Sequence, residues 1–126
     1  MAQVVGIGGI FMKSRDRAAL ALWYRRVLGL EIEAAHATAM FQPGEMAVTA
    51  GAIQLLSFFA GDTDYIEPSK RDFMVNLCVD DLDGMLARCA AEGVVPVWRD
   101  DNDPNGRFAH LIDPEGLKIE LWQPAG

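Results

Sequence analysis

Apolar positions along this chain follow two rhythms, and the order of those rhythms is written twice. Residues 4–12 form an almost unbroken apolar run interrupted only by glycine, the pattern of a strand. The polar run Lys13-Ser14-Arg15-Asp16 follows, with Ser14 or Asp16 able to cap a helix. Leu20, Trp23, Tyr24, Val27 and Leu28 then fall at i, i+3, i+4, i+7 and i+8, one face of an amphipathic helix. Gly29 sits where such a helix ends. Short extended pieces are predicted at 30–33, at 38–42 and, after the Pro43-Gly44 turn, at 46–49; a longer strand is predicted at 52–59.

Residues 61–71 break the pattern with Asp62, Asp64, Pro68, Ser69 and Lys70 and read as a linker. The order then repeats. Residues 73–79 are an apolar strand, Asp80 or Asp81 is a cap, and Leu82, Met85, Leu86, Cys89 and Ala90 repeat the helical spacing. Gly93 ends that helix, and strands are predicted at 94–98, 107–112 and 118–122. The first stripe thus recurs 62 residues later. The expectation is one α+β domain over 1–126: module one at about 4–60, the linker at about 61–71, and module two at about 72–124. Each module is βαβββ, and the two form a curved mixed sheet. A single helix covers one face of a twisted half-sheet and leaves the other open, so two half-sheets facing each other enclose a cleft.

Composition narrows the function classes. Hydrophobic residues at 51% and charged residues at 23% of 126 are ordinary globular values and argue against disorder. A net charge of −7 disfavours nucleic acid and anionic membranes as partners and is compatible with neutral or cationic ligands. No basic, signal-like segment opens the sequence, and the 4–12 run is too short to span a bilayer. Cys78 and Cys89 lack CxxC spacing and read as buried free thiols. A cytoplasmic protein is expected.

The segment Asp113-Pro114-Glu115-Gly116 is turn chemistry, since Pro restricts φ and Gly supplies positive φ. Alternation follows: Ile119 and Leu121 point one way, Lys118, Glu120 and Trp122 the other. The turn delivers the Glu120 carboxylate mid-strand beside a tryptophan.

Three segments together resemble the vicinal-oxygen-chelate superfamily, which includes glyoxalase I, the extradiol dioxygenases and the bleomycin-resistance proteins. Trp23-Tyr24-Arg25-Arg26-Val27-Leu28-Gly29-Leu30 is similar to the family's first helix end. Residues 74–82 resemble its second strand-into-helix entry, and Asp113-Pro114-Glu115-Gly116 with Ile119-Glu120-Leu121 its closing motif. The resemblance spans nearly the whole chain and implies the glyoxalase/bleomycin-resistance/dioxygenase fold. It also implies a homodimer.

Metalloenzymes of that family place four ligands on four strands. The matching positions look like Gly9, Gln54, Met74 and Glu120. Only Glu120 is a good ligand: Gln54 is a weak neutral donor, Met74 a soft thioether, and Gly9 has no side chain. His36 and His110, the only histidines, fall at none of these positions. No metal or other cofactor is therefore expected, and a dioxygenase is disfavoured. Strand parity places Gly9, Phe11 and Lys13 on the inner face, with Gln54 and Leu56, with Met74, Asn76 and Cys78, and with Lys118, Glu120 and Trp122. Ligand-binding residues are accordingly expected at Phe11, Gln54, Met74, Asn76, Glu120 and Trp122. Bland readings stand beside these: core packing for Met74 and Phe11, a satisfied amide for Asn76, and for Glu120 a charge paired with Lys118 or Arg107.

Other motifs carry less. The run 101–106 begins like a calcium loop but has Ile112 where a bidentate Glu belongs, and is read as a turn-rich loop. His110 is read as a rim residue. The leading reading is a small-molecule binder of this superfamily without the usual metal set. The alternative is a metal-dependent glyoxalase-type lyase or isomerase acting through Glu120 as catalytic base or metal ligand. A third is a module whose own side chains fill the pocket positions.

Overall fold

Asp16 and Asp81 each start a helix by the same device. In the computed structural model, which describes residues 2–126, helix α1 spans Arg17–Leu28. The Asp16 carboxylate accepts from the Ala19 N–H at 3.1 Å, and Gly29 closes the helix at φ 72°. A left-handed terminus of this kind suits glycine. A later helix, Leu82–Ala91, is capped by Asp81, which accepts from the Gly84 N–H at 3.0 Å. Of the alternative caps, Ser14 instead donates to Glu115 Oε2 at 2.5 Å.

Between the helices lie β1 (Ile32–Glu33) and β2 (Thr38–Ala39), a two-residue antiparallel pair, and α2 (Pro43–Ala47). After them come β3 (Val75–Cys78), α3 (the Leu82–Ala91 helix), β4 (Trp98–Asp103), β5 (Gly106–Ile112) and β6 (Lys118–Pro124). The last four strands form one sheet in the order β3-β6-β5-β4, with β3 parallel to β6 and the other pairs antiparallel.

The helices touch at Val27 and Cys89, positions equivalent under the 62-residue repeat, and at the neighbouring Arg25 and Arg88. Cys89 Sγ lies 3.7 Å from the Val27 carbonyl, and Arg88 donates to the Arg25 carbonyl at 3.3 Å. Val27, Leu28, Leu82, Leu86 and Cys89 pack with Ala109, Leu111, Ile119 and Leu121 in one buried cluster. The helices thus cover one face of the sheet. Both cysteines are free thiols; Cys89 is buried and Cys78 half-buried.

The Asp-Pro-Glu-Gly turn is a clamp. Asp113 Oδ1 accepts from the Glu115 and Leu117 N–H groups at 2.8 and 3.0 Å, closing the β5–β6 turn. Asp113 Oδ2 accepts from the Tyr24 hydroxyl at 2.8 Å, which ties α1 to the same turn. Burial and that bond to Asp113 push the Tyr24 pKa up, so it remains a donor.

The first half departs from its expected strands. Residues 46–49 do not continue as a strand, because Pro43 opens helix α2 with Glu45 in its first turn, a favoured start. Residues 4–12 and 52–59 have no ladder partners and form no strand; Val4, Phe11 and Phe58 are 94%, 93% and 89% exposed. A direct tie between them is the Ile7 N–H donating to Gln54 Oε1 at 2.8 Å. A strand's backbone groups need a neighbouring strand, whatever its side chains prefer. In the second half, the strand expected at 94–98 begins only at Trp98, where pairing with His110 starts. The acidic run is the end of β4 and a hairpin turn, not a loop. Asp100 and Asp103 accept from the Asn102 and Asn105 N–H groups at 2.9 and 2.8 Å. Among the described residues, no helix is long and apolar enough to cross a membrane.

Candidate functional site

Register builds the site. Asn76 on β3 pairs with Glu120 on β6, Glu120 with His110 on β5, and His110 with Trp98 on β4. These four side chains form one row across the sheet. Two residues along each strand, Cys78, Trp122, Phe108 and Asp100 form the next row. Strand parity puts both rows on the face opposite the helix-covered core of Ala109, Leu111, Ile119 and Leu121.

Glu120 is the centre of the first row and is 6% exposed. Its Oε1 accepts from Asn76 Nδ2 at 2.8 Å. Its Oε2 accepts from the Tyr65 hydroxyl at 2.5 Å and lies 2.7 Å from His110 Nε2. Burial alone raises the Glu120 pKa, but hydrogen bonds from His110, Tyr65 and Asn76 outweigh it and hold the carboxyl below its ordinary range. Glu120 is therefore ionised at neutral pH. Burial, followed by the bond to Glu120, pushes the Tyr65 pKa up, which keeps that phenol a donor. An ionised carboxylate only accepts, so the network assigns a hydrogen to His110 Nε2. His110 Nδ1 is buried and has no hydrogen-bond partner among the described residues.

Aromatic rings surround this polar row. Trp98 lies 4.4 Å from the His110 ring, tilted by 34°, and Tyr65 meets His110 edge-on at 5.2 Å. Phe59 sits 5.6 Å from Tyr65. Tyr65 belongs to the segment read as a linker, and hydrogen bonds strap that segment to β6 and the turn before it. Lys118 Nζ donates to the carbonyls of Tyr65 and Glu67 at 2.6 and 2.8 Å. Ser69 donates to the Gly116 carbonyl at 2.5 Å and Arg71 to that of Glu115 at 3.2 Å.

Of the residues expected from the sequence, Asn76, Glu120 and Trp122 share this face. Trp122 is well packed: its Nε1 donates to the Asn105 carbonyl at 2.9 Å, and its ring stacks on Phe108 at 6.3 Å. Met74, half-buried, lies just before β3. Phe11 and Gln54 stand apart, because 4–12 and 52–59 do not join the sheet and the Gln54 carbonyl oxygen is held by Ile7. Glu120 pairs with neither Lys118 nor Arg107. Arg107 instead joins Arg99 in a surface network with Asp83 and Asp101, and the two arginines pull Asp83 down to about 2.

His110 is a correction: it is 2% exposed, not at the rim. The signal was present in the turn. Counting outward from 113–116 pairs Ile112 with Lys118 and hence His110 with Glu120. Tyr65 carried no such signal, since no periodicity marks it.

The residues present do not fit the family's divalent metal. Of the four matching positions, Gly9 offers no donor and Gln54 is engaged elsewhere. Both oxygens of Glu120 are occupied by protein donors. Among the described residues, no three His, Cys, Asp or Glu side chains are grouped to hold a metal ion.

The glyoxalase-like domain family matches residues 9–122 of this chain. No curated protein matches it. Among solved structures, the chain is similar to TnmS3, an antibiotic binding protein from Streptomyces sp. CB03234. The identity is 25%, over 87% of this chain and 88% of that one, with a TM-score of 0.51. It also matches a glyoxalase / bleomycin resistance protein from Catenulispora acidiphila DSM 44928. There the identity is 28%, over 83% and 85% of the two chains, with a TM-score of 0.42.

Proposed function

The chain belongs to the glyoxalase-like domain family, and we propose that it binds a small organic molecule on the sheet face carrying Asn76, Glu120, His110 and Trp98. The observation that carries this reading is a buried, ionised carboxylate set among aromatic rings on the face the helices leave uncovered. A few polar groups in an apolar wall are the usual make-up of a ligand site. The similarity to TnmS3, an antibiotic binding protein, supports binding as the role. The lyase or isomerase alternative asks Glu120 to take a proton. Three donors already hold its oxygens and lower its basicity, so binding without metal is the better-supported reading.

The partner of the apolar first half is, in this reading, a second copy of the chain. Exposed Val4, Val5, Phe11, Leu55, Leu56 and Phe58 support it, because contiguous apolar surface marks association. Light scattering on the purified protein tests this: a dimer mass is expected, and a monomer at all concentrations rejects it. Two free thiols support a cytoplasmic location.

The binding reading is tested by amide NMR with a panel of neutral aromatic fragments. Shifts clustered at 76, 98, 108–112 and 118–122 are expected. Shifts confined to the helices, or none, overturn it.

A further inference from the structure

The best-formed contact on this face is made by the protein with itself. The Tyr65 phenol ring lies edge-on to Phe59, Trp98 and His110, at 5.6, 6.3 and 5.2 Å. Lys118 Nζ stands 5.3 Å from its ring centroid, within cation–π range. Its hydroxyl donates to Glu120 Oε2 at 2.5 Å. An aromatic box, a cation over the ring and a carboxylate at the hydroxyl together describe a receptor for a phenol. The occupant arrives on the 61–71 strap, not on a strand of the sheet.

Two observations separate this occupant from ordinary core. Tyr65 is 36% exposed and Trp98 41%, so both rings border solvent and neither is sealed inside the core. Tyr65 also leaves the site incompletely satisfied. It serves Glu120, while His110 Nδ1 beside it is buried without a partner. A buried polar atom left unpaired is unfavourable.

We infer that this face is a phenol-binding site in which Tyr65 is the resident occupant, displaced by aromatic ligands that bring their own hydroxyl to Glu120. The inference rests on the reading of this face as a small-molecule site and names the ligand class. A ring with a second hydrogen-bonding group, placed at His110 Nδ1, outcompetes Tyr65 most effectively.

The test uses p-cresol, the free form of a tyrosine side chain, and 4-methylanisole, which keeps ring and oxygen but donates no hydrogen. Saturation-transfer NMR measures both against the wild-type chain and Tyr65→Gly. p-Cresol is expected to bind both, about tenfold or more tighter in Tyr65→Gly, and to exceed 4-methylanisole by about tenfold, the scale of one hydrogen bond to a charged group. Glu120→Gln in the Tyr65→Gly background is expected to cut that preference. Should Tyr65→Gly fail to fold, Tyr65→Ala removes the ring, avoids the backbone freedom of glycine and carries the same comparison. Equal binding of the two probes overturns the inference. So does p-cresol that enters the variant yet never the wild type, because Tyr65 is then permanent core. If other fragments shift this face and phenols do not, the phenol class fails and the small-molecule reading stands; if no fragment shifts it, both fail.

Discussion

Helices α1 and α3 carry the same apolar stripe, each begins at an aspartate that caps its first turn, and a left-handed glycine follows each. Around α3 the chain completes a four-stranded sheet, while in the first half only the two-residue strands β1 and β2 pair, and 4–12 and 52–59 remain unpaired. The contrast separates two kinds of instruction. A helix satisfies its backbone internally, so stripe, cap and stop are sufficient local signals. A strand is satisfied only by its neighbours. In the second half, tight turns at 103–106 and 113–116 bring those neighbours in along the chain. In the first half, Pro43 starts a helix instead, and no hairpin follows.

The widest gap between the halves should appear in core truncations. Leu121→Ala removes a 1% exposed side chain from the central strand and is expected to destabilise by about 2–5 kcal/mol in urea unfolding. Phe11→Ala, at a 93% exposed position, should change stability by less than about 0.5 kcal/mol in the monomer. A loss at Phe11 comparable to that at Leu121, and dependent on protein concentration, means that the first half is covered in solution by a second copy.

The next effect sharpens what the second half holds. Glu120→Gln removes an ionised acceptor of three donors and should lower stability by about 1–3 kcal/mol at pH 7. The sign with pH follows from its depressed pKa. The folded chain releases this proton more readily than the unfolded chain. The stabilisation is therefore fully present above the unfolded value of about 4.3 and is lost as the pH falls through the lower folded value. Unfolding midpoints measured from pH 7 to 3 should fall less steeply in Glu120→Gln. An unchanged slope would show that Glu120 is not ionised by this network.

Caps test the one respect in which the halves agree. Asp16→Ala and Asp81→Ala should each cost about 1 kcal/mol. Unequal losses in equilibrium unfolding would mean that α1, with less sheet around it, unfolds separately from α3.

Much of the fold was legible because it is written locally. The repeated stripe placed both helices, and Asp113-Pro114-Glu115-Gly116 placed the β5–β6 hairpin. The site was legible in part. Parity, counted from the family's matching positions Met74 and Glu120, put Asn76, Glu120 and Trp122 on one face. Phe11 and Gln54 were assigned to that face on the assumption that apolar alternation implies pairing, which fails when no partner strand arrives. Tyr65 was invisible because a single aromatic in a polar stretch broken by Pro68 carries no period.

By itself, the sequence determined where α1 and α3 start and stop, where the final turn lies, and which residues of β3 and of β6 share a face, because these depend on neighbours a few positions away. Only the tertiary structure decided that His110 and Glu120 share a buried hydrogen bond, that Lys118 ties down the Tyr65 strap, and that residues 4–12 and 52–59 go unpaired. Those outcomes depend on groups tens of residues apart, whose meeting is set by sheet register and packing rather than by local preference.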